Sequence, residues 1–125
     1  MGVISSDALA RSGLLGAWEL VSCTITGSDS QIEHPYGTAP RGLIAYTIDC
    51  WMSCQMIGGA LGYSAYYGPC SLDEAARIVT HHVRGSTHPF ISGDQQRCYR
   101  VDGMVLHLSA QIGDGVIEVL WRRPR

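Results

Sequence analysis

Residues 95–122, QQRCYRVDGMVLHLSAQIGDGVIEVLWR, decide the fold. Three runs that alternate in polarity lie in this stretch, at about 95–101, 104–110 and 116–122. Asp102-Gly103 separates the first two, and Gly113-Asp114-Gly115 separates the last two. These turn residues supply the positive φ that tight hairpins require. Within each run the side chains split with period two, as in a strand with one buried face. Met104, Leu106 and Leu108 share one face, opposite Val105, His107 and Ser109. Ile117, Val119 and Trp121 oppose Glu118, Leu120 and Arg122. Gln95, Arg97, Tyr99 and Val101 oppose Gln96, Cys98 and Arg100. The stretch predicts an antiparallel meander.

The same pattern extends toward the N-terminus, with runs at about 18–26, 42–47, 51–57, 63–72 and 77–86. Asp73-Glu74-Ala75-Ala76 reads either as a turn or as a stub of helix. Only residues 5–15 carry a helical pattern. Ser5, Ser6 or Asp7 is available as its cap, and Gly13 and Gly16 punctuate its end. Eight short strands joined mostly by hairpins predict an all-β, eight-stranded antiparallel up-and-down barrel with a short N-terminal helix, a sandwich being the other arrangement. Closure removes the exposed edges that such a chain otherwise offers. Residues 1–125 are read as a single domain.

Composition excludes several chemistries. The chain has 125 residues, 46% hydrophobic and 16% charged, with a net charge of −2. No basic stripe suited to nucleic acid is present. All nine basic residues are Arg, and both Lys and Asn are absent. Schiff-base, pyridoxal-phosphate and P-loop lysine chemistry therefore cannot occur, and no N-glycosylation acceptor exists. No cofactor is called for, and no 18-residue apolar run marks a membrane span. The N-terminal stretch has no secretory signal pattern. Five cysteines, Cys23, Cys50, Cys54, Cys70 and Cys98, form no C-x-x-C. A cytoplasmic protein with free thiols is the expectation. Met1 to Ser6 fits the loose N-myristoylation pattern. The outer apolar residues Leu43, Val105 and Leu120 hint at a homodimer.

Strand alternation places Trp18, Tyr46, Met52, Cys54, His81, Arg97 and Tyr99 inside the barrel. That is a mostly apolar surface with a few convergent polar groups, the composition of a small-molecule cavity. His81 lies on the Val79/Val83 face and suits proton transfer, or is a hydrogen-bonded core histidine. His82 points outward, to solvent. Tyr46 is placed to donate to a carbonyl or enolate, or is an ordinary buried tyrosine. Arg97 inside needs an anion or carbonyl; Glu118 and Asp94 are the internal candidates. Catalytic roles thus fall to His81, Tyr46 and Arg97. Trp18, Met52, Cys54, Tyr66 and Tyr99 form the ligand wall. His88 and Phe90 are placed at the rim of the mouth, and Glu33-His34-Pro35-Tyr36 lies in the long connection after the first run. Cys50, Met52, Cys54 and Met56 share a sulfur-rich face that reads as core filling rather than as a soft-metal site. A Cys54–His81 nucleophile pair is compatible with the sequence, although nothing in the spacing tests it.

The chain also resembles the compact lipocalin-like domain family of bacteria and fungi. The matching stretches are Leu15-Gly16-Ala17-Trp18-Glu19-Leu20-Val21-Ser22, Pro40-Arg41-Gly42-Leu43-Ile44-Ala45-Tyr46-Thr47, Met52-Ser53, Ala65-Tyr66-Tyr67-Gly68 and Val79-Thr80-His81-His82-Val83, followed by Arg97, Leu106-His107-Leu108 and Trp121-Arg122. The resemblance implies that the Arg following Trp121 covers the first-strand Trp. It also implies a hydrophobic ligand and, by analogy with small barrels of secondary metabolism, a cofactor-free cyclase or isomerase. The alternatives are a non-catalytic carrier and a structural protein with a filled barrel. Three departures stand out: Asp49-Cys50 where the family has Asp-Gly, a short Gly58 to Ser64 segment in place of a longer insertion, and Pro69-Cys70 in the fourth run.

Overall fold

The computed structural model describes residues 6–125. Most of the myristoylation pattern and the Ser5 cap lie outside them. The helix α1 (Ser6–Ser12) is followed by ten strands: β1 (Gly16–Thr26), β2 (Ile32–Glu33), β3 (Arg41–Tyr46), β4 (Trp51–Gly58), β5 (Gly62–Asp73), β6 (Ile78–His82), β7 (Gly85–Ser86), β8 (Asp94–Asp102), β9 (Val105–Ile112) and β10 (Gly115–Arg122). Antiparallel pairing runs β1-β3-β4-β5-β6-β8-β9-β10, and β10 returns to β1. The barrel is therefore closed and eight-stranded, as the alternation predicts. The two extra strands are two-residue pieces: β2 was not expected, and β7 was expected as the end of the run at 77–86. β2 caps the far end of β1, and β7 flanks β5.

The run at 77–86 is broken, so β6 and β7 are separate strands, and the cause lies in β5. A Cβ on Gly68 would fall 1.9 Å from the His82 carbonyl oxygen, so the two backbones cross closely there. β5 pairs with β7 at Tyr66 and Tyr67 and with β6 from Cys70 onward. Pro69, with no N–H to donate, sits at that interruption.

Asp73 to Ala76 forms a turn rather than a helix stub, and Arg77 takes φ 55° at its end. Cys50 adopts φ 64°, in the turn where glycine is the residue best suited. β1 also carries a bulge. Leu20 pairs with Trp121 but Ser22 pairs with Leu120, so Val21 is the extra residue. Beyond the bulge Cys23, not Ser22, faces inward and is fully buried.

Antiparallel strands put the connections alternately at two ends. At one end α1 closes the barrel. Asp7 in its first turn and Arg11 in its last complement the helix dipole, and Gly13 with φ 83° ends it sooner than the pattern over 5–15 suggests. Leu9 and Leu14 are fully buried there. The Trp18 indole donates to the Leu14 carbonyl at 2.9 Å. Over the Trp18 ring lies Arg123, 3.6 Å from the centroid, and not Arg122 as the resemblance implies. Alternation sends Trp121 inward and Arg122 outward, where it meets Glu19 at 3.6 Å. The strand ends at Arg122, which frees Arg123 to fold back. Its guanidinium donates to the carbonyls of Gly13, Ala17 and Leu15 at 3.1, 3.1 and 2.9 Å. Gly16, two residues before the tryptophan, takes φ 103°, a conformation that favours glycine, and a Cβ there would lie 3.0 Å from that guanidinium. Met104, expected on the inner face, sits in the adjacent hairpin and is 64% exposed.

At the opposite end run the segments 27–31, 34–40, 59–61, 83–84, 87–93 and 113–114. Tyr36 turns inward from the second of these, is buried, and donates to the Ser64 hydroxyl at 2.9 Å. The His34–Gly37 turn rests on the β4–β5 hairpin. A Cβ on Gly59 would meet Gly37 N at 2.4 Å and the Tyr36 carbonyl carbon at 2.7 Å, so only glycine lets the two segments touch.

Candidate functional site

Three strands bring the central cluster together. β3 supplies Tyr46, β5 supplies Tyr66 and β6 supplies His81, each on an inward position of the alternation. His81 is fully buried. The Tyr46 hydroxyl lies 2.7 Å from His81 Nε2, and the Tyr66 hydroxyl lies 2.9 Å from Nδ1. The two phenol rings flank the imidazole at centroid distances of 5.6 and 5.7 Å.

Burial holds this cluster neutral. It lowers the His81 pKa to about 3, with the Arg97 and His82 charges adding to the effect. Burial also raises Tyr46 and Tyr66 well above the ordinary phenol range. A neutral imidazole has one N–H and one acceptor nitrogen. The three side chains therefore hold three acidic hydrogens for two mutual hydrogen bonds. One tyrosine hydroxyl donates to the bare nitrogen, and the other accepts from the ring N–H. That second tyrosine's O–H has no partner among the described residues. Either tautomer leaves one donor pointing away from the imidazole. Tyr66 is the half-buried member and Tyr46 the buried one.

The other expected residues fall in three places. Met52 and Cys54 are buried on β4, and Tyr99 on β8, all on the inner face. Arg97 faces inward two residues before Tyr99 and is half-buried. Its partners are not Glu118 or Asp94. Nη1 donates to the Gln96 carbonyl at 2.9 Å and Nη2 to the Gln95 side-chain oxygen at 3.2 Å. Glu118 points outward and is exposed, and Asp94 is taken by His82 at 2.8 Å. Trp18 is sealed under Arg123 at the helix end, with its N–H already used, so it packs the floor rather than a polar wall. His88 and Phe90 lie in the 87–93 connection with their rings in tilted contact, centroids 4.9 Å apart. Phe90 is 65% exposed, outside the interior.

A Cys54–His81 nucleophile pair does not form. Both imidazole nitrogens bond to tyrosines, and burial pushes the Cys54 thiol up to about 12. A protonated, sealed thiol is inert. His82 is not simply solvated either. Its Nε2 meets the Ser71 hydroxyl at 2.9 Å and its Nδ1 meets Asp94. This Ser–His–Asp row lies on the outer face, but Ser71 is only 5% exposed, so the row ties β5, β6 and β8 together.

Two interior features escaped the sequence reading. Tyr66, expected only as a wall residue, is the second partner of His81, a pairing across strands that the local sequence does not signal. The Trp121 indole N–H is buried with no hydrogen-bond partner among the described residues. A buried donor left free is costly, and it marks a point where a bound oxygen would be welcome.

Residues 15–61 match the family described as a lipocalin-like domain. This supports the resemblance read from the Gly16-Ala17-Trp18 and Arg41-Gly42 stretches. The motifs after residue 61, including His81-His82, lie beyond the matched segment. No curated protein matches the chain. Among solved structures, a redesigned beta barrel, b11L5F_LGL, superposes with a TM-score of 0.52 at 13% identity and covers 100% of both chains. At that identity the likeness concerns the fold alone. No helix among the described residues is long and apolar enough to cross a membrane.

Proposed function

Taking the chain as a lipocalin-like barrel suited to a hydrophobic ligand, we propose that it binds a secondary-metabolite intermediate inside the barrel and catalyses its cofactor-free cyclisation or isomerisation. The observation that carries this is the Tyr46–His81–Tyr66 arrangement, in which one phenolic O–H has no partner among the described residues, in a largely apolar interior.

The physical chemistry limits what that donor does. Complete loss of its proton would leave a phenolate in a site that strongly disfavours charge. Its role is to donate a hydrogen bond to a substrate carbonyl and to stabilise the enolate-like charge that develops there. The imidazole is a positioning group. It fixes both phenols and shares the polarisation along the row. Met52, Cys54 and Tyr99 hold one folded conformer of the substrate, which removes part of the entropic barrier to ring closure. A pericyclic ring closure needs only this shape and one hydrogen bond.

The apolar walls equally fit a carrier, and turnover separates the two readings. The protein is incubated with an extract of its own source and examined by native mass spectrometry. The bound compound is then released and compared chromatographically with the free compound. Release of an isomer of identical mass, with conversion lost in Tyr46→Phe and Tyr66→Phe while binding persists, supports catalysis. A compound returned unchanged makes the protein a carrier. The cytoplasmic setting and the absence of a nucleic-acid partner belong to the same reading, drawn from charge and cysteine usage.

A further inference from the structure

The barrel wall is not hydrogen-bonded all the way around. The β8–β9 ladder runs from Asp102↔Val105 to Cys98↔Ser109 and stops. β8 nevertheless begins at Asp94, and its first residues pair only with β6, from Val79↔Arg97 to His82↔Asp94. β9 likewise continues to Ile112, and its last residues pair only with β10. The two strands thus diverge at the mouth end. Between them lies a groove of about 510 Å³, bordered by residues 94–98 on one side and 109–111 on the other.

Arg97 stands at this split. Its side chain is on the inward face of β8, and among the described residues its hydrogen bonds go only to the neutral oxygens of Gln95 and Gln96. No carboxylate pairs with it among the described residues. Asp94, the acidic group nearest in sequence, is exposed and held by His82. The Arg97 charge is felt by groups on several strands, namely Cys23, Cys54, Tyr46, Tyr66 and His81. A guanidinium that faces a largely apolar interior without a counter-ion is a receptor for an anionic oxygen group.

We propose that the split between β8 and β9 is an anion subsite, and that Arg97 makes the barrel prefer hydrophobic ligands bearing an acidic oxygen group, such as a carboxylate or an acidic enol. This rests on the ligand-binding reading above and narrows its substrate class. The acidic group sits at Arg97, and the apolar body extends toward the Tyr46–His81–Tyr66 cluster.

Two fluorescent probes with the same aromatic skeleton test this. 1-Anilinonaphthalene-8-sulfonate carries an anionic oxygen group, and N-phenyl-1-naphthylamine does not. The expected result is tighter binding of the sulfonate by the native protein, and about tenfold weaker sulfonate binding in Arg97→Gln with the neutral probe unchanged. Arg97→Lys, which keeps the charge, recovers part of the difference. Arg100→Gln, on the outer face of the same strand, leaves both affinities as they are. Salt gives a reading without substitution: sulfonate affinity falls with ionic strength and neutral-probe affinity does not. Equal affinities that are indifferent to Arg97 and to salt overturn the anion subsite and leave the hydrophobic barrel standing. Failure of both probes to bind overturns the subsite and the ligand-binding reading together.

Discussion

The Arg123 guanidinium lies over the Trp18 ring at 3.6 Å and donates to three carbonyls around the start of β1. This joins the chain's last strand to its first. Those carbonyls lie between the end of α1 and the first residues of β1, so Arg123 also fixes the helix-to-strand connection. Arg123→Ala is expected to destabilise the protein by about 3 kcal/mol, from lost charge-assisted hydrogen bonds and the cation–π contact. Arg122→Ala removes only an exposed pair and costs under about 1 kcal/mol. Urea denaturation of the two variants checks the order. The reverse order would place the wrong arginine over Trp18.

The Tyr46–His81–Tyr66 row gives a second expectation. Removing either hydroxyl strips a buried imidazole nitrogen of its partner. Tyr46→Phe and Tyr66→Phe should each cost about 1–3 kcal/mol. Because both act through one ring, their effects should be non-additive by at least about 0.5 kcal/mol in a double-mutant cycle. Strict additivity would mean that the imidazole does not couple them.

Acid should act through His81. Its pKa falls from an ordinary value near 6.5 to about 3 on folding. Between those values the unfolded chain binds the proton and the folded chain does not. Stability is therefore full above about pH 6.5 and declines as the pH falls toward 3. The loss at pH 5 from this one group is about 2 kcal/mol relative to pH 7. Denaturation midpoints at several pH values in the native protein and in His81→Gln measure it. A slope that is the same in both would assign the acid sensitivity to other groups.

The Tyr36 plug depends on Gly59. Gly59→Ala would put a methyl against Tyr36 and Gly37 at a backbone φ of 58°, and should displace the turn at 34–37. The expected signs are a stability loss of about 2 kcal/mol and faster hydrogen exchange at Tyr36 and Gly37. Tyr36→Phe removes only the bond to Ser64 and should cost about 1 kcal/mol. An unchanged exchange rate in Gly59→Ala would show that the turn is held elsewhere.

The barrel was legible because its information is local. Hairpin glycines at 103 and 113 and unbroken alternation on β8, β9 and β10 specify strands, and strands at that spacing close. The inward set of Tyr46, Met52, Cys54, His81, Arg97 and Tyr99 follows from the same period of two. Partnerships were not legible, because they depend on which strand lies opposite. Nothing near Arg97 in sequence says that β9 has already left its side, or that Asp94 is committed to His82. The bulge at Val21 shifts the parity of β1 and brings Cys23 inside, which no composition signal announces. The Arg123 contact is the same kind of case: alternation identifies Arg122 as outward, but only the end of the ladder shows what the next residue does.

Ligand binding in the interior beside Tyr46, His81 and Tyr66 is open to direct test. The most direct measurement is the imidazole nitrogen NMR spectrum of uniformly ¹⁵N-labelled protein, with and without N-phenyl-1-naphthylamine. A single-tautomer, neutral His81 is expected, with nitrogen shifts that move on saturation while those of His107, on the outer face of β9, stay in place. Saturable binding that leaves the His81 nitrogens unmoved would put the ligand elsewhere and overturn its placement beside the Tyr46–His81–Tyr66 row.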